Sequence, residues 1–293
     1  MNTNELPNPV SFESAIEKFV AYLKSQKRSS ATIIAYKGDL EQLKKYLLGQ
    51  KITQATTVTT EYLNSFIATM NTGYTAKSVS RKINSLKTFF KFLLSSKLNT
   101  KDPSTSLQHP KYETSAPRIL TPEECRALRD ACRLDIRLNS VIELMLQTGV
   151  RISELANIRL EDVKKTEIHI KPLENNPSRD IPLFRSSIVS IQNYLAIRPK
   201  VTDDHLFVTK SGRPLLIRNI RTAVDRYFRI AGIKGSKVND IRNTFVAFQL
   251  NAGVDLEYLS KMVGHKRLSS TSKYISELKP SLSSQSSTKL VEI

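Results

Sequence analysis

Four successive stretches in the first hundred residues place apolar side chains at three- and four-residue spacing, with no strand-like alternation between them. That period gathers each set on one stripe of an α-helix. Ser11 precedes Phe12, Ala15, Ile16, Phe19, Val20 and Leu23, and Ser29 and Ser30 precede Ile33, Tyr36, Leu40, Leu43 and Leu47. Thr59 and Thr60 open a third set, Leu63, Phe66, Ile67 and Met70, and Thr75 opens a fourth, Val79, Ile83, Leu86, Phe90 and Leu93. Ser and Thr are good N-caps, because their oxygens accept from the free N–H groups of a first turn. A helix with one apolar stripe must bury it, so four in a row specify a small bundle.

The pattern stops near Asn99. Asp102-Pro103, His109-Pro110 and Ala116-Pro117 follow, without helical period. The residue before proline favours extended backbone, so residues 101–118 read as a linker between a helical domain over 1–100 and a second domain over 119–278. The second domain starts at Thr121-Pro-Glu-Glu124, a capping box with proline at the first helical position. One helix runs to about Arg133 and another from about Ile136 to Gln147. Glu167-Ile-His-Ile-Lys171, a turn at Asn175-Asn-Pro-Ser178 and Arg179-Asp-Ile-Pro-Leu183 predict a small antiparallel hairpin. Helical periods resume at about 186–195, 218–231, 239–252 and 255–263. The expected fold is mainly α with one small antiparallel β-sheet. Residues 279–293 form a tail, and its Ser281–Ser287 run reads as flexible.

A chain of 293 residues suits two domains. Its 45 Lys+Arg against 27 Asp+Glu give a net charge of +18, which points to a polyanionic partner, most often nucleic acid. Hydrophobic residues at 40% supply packed cores, which excludes a mainly disordered chain. No apolar run is long enough for a transmembrane helix. The start, MNTNELPNPV, has neither the basic nor the apolar region of a signal peptide. Cys125 and Cys132 are seven apart and share a helix face, too few for a disulfide scaffold or a lone zinc site. A cytoplasmic protein without membrane, metal or cofactor is expected.

Three segments of the second domain carry groups suited to chemistry. In Thr148-Gly-Val-Arg-Ile-Ser-Glu-Leu155, a glycine ends one helix and a new helix begins just after Arg151. In Asn239-Asp-Ile-Arg-Asn-Thr-Phe245, Asn239 and Arg242 are three apart and share a helix face. In the third, Gly253 and Asp255 end one helix and cap the next, Gly264-His265 ends that helix, and Tyr274 follows nine residues later. Singly, each Arg, His or Tyr is an ordinary surface or packing residue. Together, in this order, they resemble the tyrosine recombinases, or phage-type integrases, most closely the compact Xer-type members. The resemblance runs from about residue 11 to 278. T-G-V-R-I-S-E-L matches the first arginine box of the family. Arg242, Gly253-x-Asp-Leu, Gly264-His265 and Thr271-x-x-Tyr274 match the second.

The resemblance implies an N-terminal SAM-like, core-binding four-helix domain and a mostly helical catalytic domain. Its chemistry accounts for the residue types. A DNA phosphodiester gains charge in a pentacoordinate transition state, and two guanidinium forks, Arg151 and Arg242, suit its non-bridging oxygens. Tyr274 is the implied nucleophile, giving a 3′-phosphotyrosine and a free 5′-OH. A covalent intermediate keeps the phosphoester for rejoining, so neither ATP nor metal is needed. His265 would bind the scissile phosphate or orient the site. A hairpin lysine would be general acid at the 5′-oxygen. Lys171 is the lysine inside the hairpin, although the usual family lysine aligns with Glu174. Asn239 stands where the family usually has His. It can donate to the phosphate, but it does not exchange a proton near neutral pH. Asn243, after Arg242, is another departure from a common His.

Lys77, Arg81, Asn84, Thr88 and Lys91 form a polar stripe opposite the apolar face of the fourth helix. Arg218 and Arg221 lie on a second-domain helix that resembles the family's major-groove helix. Both are candidate contacts to double-stranded DNA carrying a specific recombination site. The resemblance further implies a homo- or hetero-tetramer on two DNA sites. The tail, ending Leu290-Val-Glu-Ile293, suits docking into a partner's groove or fraying. A non-catalytic DNA-binding protein that kept the fold is the alternative from another class, and a type IB topoisomerase is a weaker one. The sequence does not separate chromosome-dimer resolution from integration of a mobile element.

Overall fold

Hydroxyl side chains cap three of the four helices that the periodicity predicts in the first domain, whereas Thr59 makes no cap bond at the third. The computed structural model describes residues 10–113, 116–173, 176–275 and 287–293. Glu174, Asn175 and residues 276–286, with most of the Ser281–Ser287 run, lie outside the described residues. The chain divides into two compact units, Met1–Thr114 and Ser115–Ile293.

The first unit holds α1 (Phe12–Ser25), α2 (Ser30–Gly49), α3 (Thr60–Asn71) and α4 (Ala76–Ser95). Ser11, Ser29 and Thr75 accept from the N–H groups of Ser14, Thr32 and Ser78. Phe12, Phe19, Leu40, Leu43, Leu63, Phe66, Ile83 and Phe90 are buried together, as the stripes require. Residues 99–110 belong to this unit. Leu107 is buried in its core, the Thr60 hydroxyl donates to the Pro103 carbonyl at 3.0 Å, and Ser80 and His109 share a 2.9 Å hydrogen bond. X-Pro pairs report extended backbone, but extended backbone can still pack, and burying one leucine contributes about 1.5–3 kcal/mol.

The second unit holds α5 (Pro122–Cys132), α6 (Ile136–Thr148), α7 (Ile152–Asn157), β1 (Glu167–Ile170), β2 (Arg179–Pro182), α8 (Arg185–Ile197), α9 (Ile217–Ile230), α10 (Val238–Asn251), α11 (Leu256–Val263) and α12 (Ser269–Ser272). The Thr121–Glu124 capping box forms as predicted. Residues 140–150, the C-terminal half of α6 and the turn after it, are buried, so α6 is the central helix. The hairpin pairs Ile168 with Ile181 and Ile170 with Arg179. Ile168, Ile170 and Ile181 face the core, and the same alternation turns Arg179 inward.

Residues 287–293 are seated on this unit. Ser287 bridges Val254, and Leu290 enters the core. Two fully buried glutamines read the segment's backbone. Gln249 donates to Val291 O at 2.5 Å and accepts from its N–H at 2.8 Å. Gln147 does the same for Ile293 at 2.7 and 2.9 Å. Among the described residues no helix is long and apolar enough to cross a membrane.

Candidate active site

Two left-handed glycines build the site. Gly149 ends α6 with φ +59°, and a Cβ there would stand 2.4 Å from the Phe245 ring on α10. The chain therefore turns close over α10 and delivers Arg151 to the start of α7. Gly264 ends α11 with φ +67°, and a Cβ there would meet Arg179 Nη1 at 2.9 Å and Arg151 Nη1 at 3.4 Å. Glycine admits both the conformation and the neighbouring cations.

The C-terminal turn of α11 collects three guanidinium groups. Its last carbonyls lack intrahelical donors and carry the negative end of the helix dipole. Arg179 Nε donates to Met262 O at 2.6 Å. Arg242 Nη2 donates to Val263 O at 2.7 Å, and Arg151 Nη2 to Gly264 O at 2.8 Å. Arg242 Nη1 also donates to Gly149 O at 2.5 Å, which ties the two glycine turns together. Glu154 is the counter-charge. Its carboxylate accepts a bidentate pair from Arg179 at 3.0 and 2.7 Å and one bond from Arg151 Nη1 at 3.0 Å. Burial would raise its pKa, but the arginines outweigh burial and hold it below the ordinary carboxylate value.

Three guanidiniums and one carboxylate leave a net charge of two positive. The cost shows in Arg242, whose pKa is pulled down to about 9, first by burial and then by Arg151. His265 is pushed down to about 3 by burial and by the cations Arg242, Arg151, Lys273 and Arg179. It is a neutral imidazole at pH 7, with Nδ1 bonded to the buried Thr271 hydroxyl at 2.8 Å. A cluster with excess positive charge beside a neutral imidazole can take an anion.

Tyr274 is 2% exposed, and its hydroxyl donates to Asn243 Oδ1 at 2.8 Å. Burial raises its pKa, Arg242 opposes that rise and Asp240 adds to it. Asn239 Nδ2 donates to the same Asn243 oxygen at 3.2 Å. Of the residues singled out in the sequence, the structure thus brings Arg151, Arg242 and His265 into one cluster, with Tyr274 and Asn239 joined through Asn243.

Lys171 is held elsewhere. Its ammonium is paired with Glu161 at 2.5 Å and Asp162 at 3.2 Å, on the turn after Arg159. Those bonds, Glu161 first, raise its pKa, the opposite of what eases proton donation. Arg81 is also engaged, bidentate on the buried Asp39 carboxylate that Lys82 shares at 3.0 Å. Lys77 and Lys91 are exposed on α4, and Arg218 and Arg221 are exposed on α9, opposite buried Ile220 and Val224. Among the described residues, Asp203, Asp204 and His205 bring ligand atoms within 4.8 Å of one another, but they are bonded to Arg159 and to each other.

Glu154, Arg179, Asn243 and Thr271 complete the site without having been assigned roles from sequence. Arg179 had a signal, a charge on the inward register of a strand beside Ile181.

The pattern that defines the phage integrase family matches residues 118–280, and that of the phage integrase N-terminal SAM-like domain matches residues 16–97. The chain belongs to the phage integrase family. The SAM-like match covers α2–α4 and most of α1, and the integrase match holds the whole arginine cluster of this family member. A tyrosine recombinase XerC from Staphylococcus carnosus (strain TM300) is 31% identical over 268 residues, covering 88% of this chain and 90% of the relative. A tyrosine recombinase XerD from Proteus mirabilis is 30% identical over 273 residues, covering 88% and 87%. Among solved structures, the Tn1549 transposon integrase in complex with transposon right end DNA has a TM-score of 0.77 at 17% identity, covering 90% of this chain and 94% of that one. A lambda integrase tetramer bound to a Holliday junction has a TM-score of 0.73 at 15% identity, covering 91% and 78%. At those identities the structures share the integrase fold.

Proposed function

We propose that this site-specific recombinase cleaves and rejoins DNA through a 3′-phosphotyrosine on Tyr274. The carrying observation is the convergence of Arg151 and Arg242 on the end of α11 with net positive charge, beside a buried tyrosine. A phosphodiester entering the cluster supplies the missing anion. The two guanidiniums bind its non-bridging oxygens and gain as charge develops in the transition state. Neutral His265, with Nδ1 on Thr271, offers its other nitrogen to the phosphate. Asn239 has a second amide hydrogen for the same anion while the first stays on Asn243. Tyr274 gives up its phenolic proton to water and attacks phosphorus, the bond to the 5′-oxygen breaks, and Lys171 protonates that oxygen after leaving Glu161 and Asp162.

Lys77 and Lys91 on α4, with Arg81 once it leaves Asp39, and Arg218 and Arg221 on α9 contact the duplex backbone. The working assembly is a tetramer on two recombination sites, and it acts in the cytoplasm, where chromosomal DNA is found. Relatives that are recombinases, and a full set of candidate groups, disfavour a binding protein that lost catalysis.

Tyr274→Phe is expected to abolish covalent attachment to a nicked suicide substrate while site binding persists. Covalent complex formed by the Phe variant would refute the nucleophile assignment.

A further inference from the structure

Asn243 is 6% exposed, and its carboxamide is fully used. Nδ2 donates to Asp240 Oδ1 at 3.1 Å and to Arg118 O at 3.3 Å. Oδ1 accepts from Asn239 at 3.2 Å and from the Tyr274 hydroxyl at 2.8 Å. Turning the amide over would set its NH₂ against that of Asn239 and its oxygen against a carboxylate. The network therefore fixes the orientation. An amide oxygen accepts a hydrogen bond but does not remove the proton. Tyr274 is 2% exposed in this arrangement, so its oxygen is closed to a phosphate.

We propose that Asn243 is a positioning residue for the nucleophile: its carboxamide oxygen holds the Tyr274 hydroxyl in a resting place, and the tyrosine must break that bond before it attacks. The inference rests on reading Tyr274 as the nucleophile. Release has an identifiable cost and an identifiable trigger. The cost is one buried hydrogen bond, enough to bias an equilibrium by about 2- to 10-fold. The trigger is the arrival of an anion at Arg242, the residue next to Asn243 and the cation that acts most on the Tyr274 hydroxyl. Asn243 then keeps its bond from Asn239, so its oxygen is not orphaned when the tyrosine leaves.

The test is single-turnover covalent cleavage of a nicked suicide duplex with enzyme in excess, from pH 6 to 9. Asn243→Ala is expected to form adduct about 2- to 10-fold faster than wild type, with unchanged affinity for the site. Asn243→His places a group that can take the phenolic proton. It is expected to add a pH-dependent inflection that wild type and the alanine variant lack. A residue that only supports the fold would move neither readout. Cleavage by Asn243→Ala at or below the wild-type rate, with site binding intact, overturns the proposal. Should the alanine variant not fold, an Asn243→His profile parallel to wild type overturns it. Absence of adduct from wild type itself removes the nucleophile assignment, and this inference with it.

Discussion

Glu154 decides whether three arginines can share one helix end. Its side chain is fully buried between Arg179 and Arg151, and no other carboxylate bonds to the cluster among the described residues. Removing one partner of such a buried group leaves uncompensated charge, so Glu154→Ala is expected to cost about 3–5 kcal/mol in urea denaturation, and Glu154→Gln less. A loss within experimental error would show that the arginines are held by the α11 carbonyls alone. His265 gives the same site a pH signature. Its pKa is about 3 in the folded chain against an ordinary 6.5. Between those values the unfolded chain binds a proton that the native one does not, so stability is full above about 6.5 and falls as pH drops towards 3. His265→Asn is expected to flatten that limb of a stability-against-pH series, and an unchanged slope would contradict the burial of a neutral imidazole.

At the scale of elements, what the sequence made legible was local. The stripes of α1–α4, the Thr121–Glu124 box and the glycine stops of α6 and α11 each depend on neighbours within a turn or two, and each is found where its pattern predicts. Long-range partners were not legible. The X-Pro stretch predicts a segment without helix, and its described residues hold a turn at 103–106 and no helix, but it carries no sign that Leu107 packs into the first unit. The alternation of the hairpin carries a signal for an inward Arg179, but none that it reaches Glu154, 25 residues earlier. Residue type and position point to Lys171, but its pairing with Glu161 and Asp162 depends on a turn that the period does not reveal. The segment 287–293 is the clearest case, since its partners, Gln147 and Gln249, lie on two separate helices. Deleting these residues uncovers the Leu290 slot and leaves both buried glutamines without backbone partners. The thermal midpoint is expected to fall while single-site DNA binding persists, and an unchanged midpoint would contradict the docking.

For the whole molecule, the net charge of +18 divides into two kinds of work. Exposed cations such as Arg218 and Arg221 are the proposed contacts to a DNA backbone, whereas Arg151, Arg179 and Arg242 are drawn into one cluster that Glu154 balances only in part. The two kinds separate by salt. Affinity for the site should fall steeply with ionic strength, and Arg218→Ala with Arg221→Ala should reduce the slope of log K against log salt by about 2. A slope equal to that of wild type would remove α9 from the DNA contact. Loss of Tyr274 should leave that slope untouched, because its proposed role is chemical. The central claim is that Tyr274 itself becomes joined to DNA. Trapping the wild-type adduct on a suicide duplex and mapping the modified peptide by mass spectrometry is its most direct test. A DNA 3′-phosphate esterified to the peptide containing Tyr274 is the expected result. An adduct on any other residue would contradict it.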